Sequence, residues 1–218
     1  MIRFIPCAGL ALAVLVGTAS GNLPEAQPVP EGTFDYRVVH PTLGDIGTYT
    51  NVVRRNDGGS VSVATRVDIE AKIAFVTARS IEADRSEQWS EGRLVQYESR
   101  TLKDGEAIHV QGRSEGGQFV IEGPAGRATA PASVVPTNAW SPHILEADVV
   151  MASESGRLYP ASVTGGGREN VEVEGEQVSA RRYRVSADSQ YDLWFDDDGR
   201  VVRFATVSDG DTISFVLD

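Results

Sequence analysis

The sequence predicts an all-β domain, a curled antiparallel meander forming a half-closed or open β-barrel with one short helix near residues 142–152. Three observations carry this. Apolar and polar residues alternate along run after run, which places one face of each strand inward and the other in water. Hairpin-type turn clusters separate the runs, and a single stretch carries helical start signals.

In chain order, MIRFIPCAGLALAVLVGTASG has a lone Arg3, an apolar run from Phe4 to Val16, and small residues Ala19-Ser20-Gly21. Residues 1–21 therefore read as an export signal removed from the mature protein, too short to span a bilayer comfortably. Cys7 is the one cysteine and lies within it, so the mature chain has neither a disulfide framework nor a Cys-ligated zinc site. Phe-Ile-Pro precedes Cys7 where a lipidated cysteine calls for small residues, which argues against a lipid anchor. Residues 22–32, proline-rich and without hydrophobic period, form an exposed leader, and residues 33–218 a single β domain.

Within that domain SVSVATRVDIE (60–70) sets Val61, Val63, Val67 and Ile69 against Ser62, Ala64, Arg66, Asp68 and Glu70. FDYRV (34–38), AIHVQ (107–111), QFVIE (118–122), NVEVE (170–174), QYDLWF (190–195) and TISFVL (212–217) repeat the pattern. NDGG, EG, DG, EGG, EGE and DDG lie between such runs, so neighbouring strands are antiparallel, in a meander of about ten to twelve. Gly165-Gly166-Gly167 reads as one more hairpin connection. The helix is predicted in NAWSPHILEADVVM, with Ser141 as N-cap, Pro142 at the first helical position, and Trp140 and Leu145 as a hydrophobic staple.

Several motifs imitate chemistry. Asp196-Asp197-Asp198-Gly199 lacks the alternating oxygen ligands of a calcium loop, since Trp194 stands two residues before Asp196; it reads as a tight turn. GRSEG (112–116) fits the nucleophile-elbow pattern, yet a strand follows it where a helix is needed. A serine hydrolase using Ser114 and His143 is thus the least supported function, and no catalytic residue is nominated. His40, His109 and His143 fall in separate elements without metal-ligand spacing, so neither a metal site nor a cofactor is expected. Losing Arg3 with the signal takes 20 basic residues to 19 against 31 acidic, a formal charge of −12, which repels nucleic acid and anionic headgroups.

About ten twisted strands curl, and alternation lines the hollow with the apolar set. The residues expected to bind a ligand there are Phe34, Tyr36, Trp140, Tyr191, Leu193, Phe195 and Phe204, with Phe215 as a further lining aromatic. Arg182 and Arg184 share a strand face and could clamp a carboxylate or phosphate; cross-strand pairing with Asp or Glu is the alternative.

The early Gly44-x-Ile46-Gly47, the PTNAW run and the hairpin Leu193 to Val202 resemble uncharacterised families of exported proteobacterial proteins, domains of unknown function. Those families in turn resemble the curled open barrels of periplasmic lipoprotein carriers. The resemblance implies a concave sheet holding acyl chains or another apolar molecule, though carriers use several helices as a lid where one is visible here. The expected function is a periplasmic or secreted binding or chaperone-like module for an apolar or lipid-like ligand. The alternative is an envelope structural or protein-interaction domain with a filled core and an envelope protein partner. The mature chain carries no transmembrane stretch.

Overall fold

The period-two runs all become strands. The computed structural model describes residues 30–73 and 76–218; the segment expected to be an export signal and most of the expected leader lie outside them. The first arm of the meander runs through β1 (Gly32–His40), β2 (Gly44–Arg55), β3 (Val61–Ile73), β4 (Val76–Ser90), β5 (Arg93–Lys103), β6 (Glu106–Glu115), β7 (Gln118–Gly123) and β8 (Gly126–Pro131). A compact insert follows, with β9 (Val135–Pro136), a 3₁₀ turn at Pro142–Glu146, β10 (Val149–Met151) and β11 (Leu158–Pro160). The second arm is β12 (Ser162–Val173), β13 (Glu176–Ser186), β14 (Gln190–Phe195), β15 (Val201–Ser208) and β16 (Asp211–Leu217).

Thirteen strands form one antiparallel sheet in the order β12-β13-β14-β15-β16-β1-β2-β3-β4-β5-β6-β7-β8. The last strand returns beside the first, Tyr36 facing Leu217 and Val38 facing Phe215, which joins the two arms in the middle of the sheet. The outermost strands β12 and β8 do not pair with each other, so the curl stays open. Chain continuity bridges the opening: β8 runs on into β9 and β11 into β12, with β9, β10 and β11 forming their own small sheet between them.

The insert lies against the concave wall. Tyr97 on β5 donates to the Ser153 carbonyl, and Asn138 and Trp140 bond to a side chain on β4. Trp140, Ile144, Leu145, Val150 and Met151 belong to the same buried core as the strand residues Val63, Val67, Tyr183 and Leu193. The insert thus acts as a plug at one end of the curl. At the sheet's centre Tyr36, Tyr49, Phe204 and Phe215 pack together, Phe204 and Phe215 stacked at 4.1 Å and Tyr49 edge-on to Phe204 at 5.1 Å.

Three expectations need correction. The helix near 142–152 is a single 3₁₀ turn ending at Glu146; Ser141 caps it by accepting from the His143 amide, but Val149 and Val150 leave it for β10, where β-branched side chains fit better. Gly165-Gly166-Gly167 is not a connection but a bulge inside β12, where Gly165 at φ +107 brings its backbone so near Arg182 that a Cβ would meet that carbonyl at 2.7 Å. Among the described residues the strands number sixteen: thirteen in the main sheet, above the ten to twelve expected, and β9, β10 and β11, which are too short to show alternation in sequence. The Asp196–Gly199 corner is the expected turn: Asp196 Oδ1 accepts from the Asp198 and Arg200 amides, and Gly199 takes φ 77.

Gly47 has the sharpest backbone requirement. Its φ is +148, and a Cβ there would fall 2.0 Å from the Asp68 carbonyl oxygen of β3. Gly44, at φ +77, has open space around it. In urea denaturation Gly47→Ala should cost about 3 kcal/mol, combining backbone strain with a collision that can be relieved only by moving β3, whereas Gly44→Ala should cost about 1 kcal/mol.

Candidate functional site

The plug is fastened by a carboxylate with no access to water. Glu87 on β4 is 0% exposed. Its Oε1 accepts from Asn138 Nδ2 at 2.6 Å, and its Oε2 accepts from the indole N–H groups of Trp89 at 2.8 Å and Trp140 at 2.9 Å. Asn138 also donates to Thr65 Oγ1 on β3 and accepts from the Tyr49 hydroxyl on β2. Thr65 donates in turn to Asn51 Oδ1. Three strands and the plug therefore share one network of buried polar groups, each of which would be costly to leave unpaired. Burial pushes the Glu87 carboxyl above its ordinary range, outweighing its three N–H donors and the nearby Arg85 guanidinium.

Beyond this network the curl encloses a cavity of about 660 Å³. Its walls include Val67 and Ile69 from β3, Ile81 from β4, Leu193 from β14, Phe204 from β15, and Ile213 and Phe215 from β16. Ile144 and Ala152 of the plug contribute as well, and Tyr49 reaches it from β2. Two of the exposed large apolar side chains, Leu43 and Val207, also border this space, which gives it an apolar lip. Most of the wall is therefore hydrocarbon, with a few charged groups, the usual make-up of a small-molecule pocket.

Those charged groups are largely paired. Arg79 bonds Asp104 and Asp209 at 3.2 and 2.8 Å, Asp188 accepts from Tyr191, and Asp211 stands 3.4 Å from His40 Nε2. Lys103 Nζ is 3.0 Å from Glu154 Oε2. Arg85, with a side chain 8% exposed, is the exception: its Nη2 is 3.7 Å from Glu154 Oε1, and its Nε is buried without a hydrogen-bond partner.

Of the residues predicted to bind a ligand, Tyr191, Leu193 and Phe204 line the cavity, as does the further aromatic Phe215. Tyr36, Trp140 and Phe195 are buried elsewhere in the core. Tyr36 donates to the Val201 carbonyl, Trp140 belongs to the Glu87 network, and Phe195 packs edge-on to Tyr183 at 6.1 Å. Phe34 is partly buried against the core near Gly32. Arg182 and Arg184 point away from the curl, on the face opposite buried Tyr183 and Val185, and both clamp Asp192 at 2.8–2.9 Å. Against a burial that would raise it, those two guanidiniums hold the Asp192 carboxyl below its usual range. Arg182 also lies 5.0 Å over the Trp194 ring, with Arg203 at 4.8 Å. They form a surface ion-pair cluster and are not part of the cavity.

GRSEG forms the end of β6 and the turn into β7, so Ser114 sits on an exposed hairpin. His143 stacks on Trp89 at 5.6 Å, its basicity lowered by burial, and among the described residues it shares no hydrogen bond with Ser114.

The comparisons with known proteins agree with this architecture. Residues 36–218 match the family described as a domain of unknown function, DUF6134. The chain belongs to DUF6134. A solved structure similar to this DUF6134 chain is the β-barrel-like protein of the domain of unknown function DUF1849 from Brucella abortus, with a TM-score of 0.64 over 85% of this chain and 94% of that one. At 9% identity the likeness concerns the fold alone. No curated protein matches the DUF6134 chain in sequence. Among the described residues no helix is long and apolar enough to cross a membrane, which says nothing about crossing by strands.

Sequence reasoning missed Asn51, Thr65, Arg85, Glu87 and Asn138. A signal existed for Thr65, which interrupts the apolar series Val61, Val63, Val67, Ile69 at the one position where the next valine belongs. For Arg85 and Glu87 there was none, because ADRSEQW carries polar residues on both alternating faces.

Glu87→Gln replaces one acceptor oxygen with a donor in a site served by three N–H groups, and should cost about 1–3 kcal/mol near neutral pH. The pH dependence has a definite sign. Because the folded-state value is raised, the proton on Glu87 adds stability below the ordinary carboxyl value of 4.5, and this is lost as pH rises through the folded value. Glu87→Gln lacks that loss, so wild-type stability relative to the variant should be greatest in acid and decline above pH 4.5 in pH-resolved denaturation.

Proposed function

We propose that the domain is an exported binding or chaperone-like module that holds an apolar or lipid-like molecule in the curl of its sheet. The cavity of about 660 Å³ carries this reading: its walls are mostly aliphatic and aromatic, it opens through an apolar lip, and the plug fills only one end of the curl. A space of that size falls in the range of small-molecule sites. The amino-terminal apolar run adds export to the periplasm or beyond, and the resemblance to lipoprotein carriers suggests an acyl chain as occupant.

A second reading is favoured by one observation: among the described residues, no strand pairs with the outer edge of β12 or of β8. An extended segment of an envelope protein could add to either edge by main-chain hydrogen bonding, making the domain an interaction module.

Protein purified without denaturant, extracted with organic solvent and analysed by mass spectrometry should release an apolar molecule. Titration with the neutral fluorophore N-phenyl-1-naphthylamine should give saturable binding. Ile81→Trp, which places an indole in the cavity, should weaken that binding by about tenfold or more while leaving the melting temperature within a few degrees. Equal binding by wild type and Ile81→Trp, or none by either, would contradict ligand holding in this cavity.

A further inference from the structure

We propose that the ligand is an anionic amphiphile whose carboxylate or phosphate head is received by Arg85 and Lys103, in the place now taken by Glu154. This rests on the reading of the cavity as an apolar ligand site and specifies which chemistry it selects.

Arg85 is the observation that carries the inference. Its side chain is 8% exposed yet borders the cavity, so the guanidinium is almost wholly withdrawn from solvent and turned toward the ligand space. No carboxylate reaches it at hydrogen-bond distance. Glu87, two residues away on the same strand face, has both oxygens occupied by Asn138 and the two indoles. Glu154 Oε1 stops at 3.7 Å, and Nε remains unpartnered. A buried guanidinium offers five donors in a fork suited to a planar carboxylate or a phosphate, and withholding a close partner from it costs stability. That cost is recovered if an external anion completes the site.

Acidic groups outnumber basic ones on the cavity wall, but those other than Arg85 already have close partners, so Arg85 is the group left short of one. Arg79, Asp188, Asp209 and Asp211 are engaged with partners at the rim. Glu154, from the loop between β10 and β11, sits between Lys103 at 3.0 Å and Arg85 at 3.7 Å. It occupies the position of a ligand head group while satisfying only Lys103 closely. Its side chain is 35% exposed, so it can swing to water when a better-placed anion arrives.

Displacement of bound N-phenyl-1-naphthylamine by dodecanol, dodecanoate and dodecyl phosphate tests this. Dodecanoate, dodecyl phosphate or both should compete at about tenfold lower concentration than dodecanol, and whichever anion wins identifies the head group. Arg85→Gln should abolish that preference with dodecanol competition unchanged. Glu154→Gln, which removes the internal competitor, should strengthen dodecanoate several-fold. Should Arg85→Gln fold poorly, Lys103→Gln, at a 35% exposed side chain, should still reduce the preference for the anions. Dodecanol competing as well as both anions would overturn the head-group assignment and leave the apolar site standing. Failure of the fluorophore and all three competitors would remove the site itself.

Discussion

The burial of one carboxylate organises this molecule. An open sheet of thirteen strands has two free edges and a hollow it cannot fill by itself, so its shape depends on what is held inside. Glu87 supplies the hold. By accepting from the indole N–H groups of its own strand neighbour Trp89 and of Trp140, and from the side-chain amide of Asn138, it ties the insert to the wall of β4. Asn138 extends the tie to β2 and β3 through Tyr49 and Thr65. A purely hydrophobic plug could slide or rotate; groups that must all be paired at once allow far fewer positions.

The position of that tie determines where the hollow stays empty. His143 stacks on Trp89 and Trp140 packs edge-on to both at the Glu87 end, while Val67, Ile81, Phe204, Ile213 and Phe215 line the cavity. Arg85 stands between the two regions, two residues from Glu87 on β4 and on the wall of the cavity. The strand therefore carries a structural carboxylate and a cavity-facing cation side by side, and the first spares the second from serving as its partner.

Much of the architecture was legible because it follows from period two. Val63 and Val67 face inward as their alternation requires, the Asp196–Gly199 corner turns, and Leu193, Phe204 and Phe215 reach the hollow from consecutive strands. What could not be read depends on contacts between distant parts of the chain. Trp140 looked like a lining aromatic, yet its indole serves Glu87, fifty-three residues away. Arg182 and Arg184 looked like an anion clamp and are one, but the anion is the chain's own Asp192. Arg85, the residue better placed to receive an external anion, lies in a stretch whose polar residues hide which face is buried.

A trough kept open by the pinned plug can be observed without knowing any natural ligand. Crystals of the protein pressurised with xenon should show anomalous density against the apolar part of the cavity wall, to which Ile81, Ile213 and Phe215 belong, because a polarisable gas settles on such surfaces. Xenon absent from this region, with the surrounding side chains collapsed into it, would contradict the account.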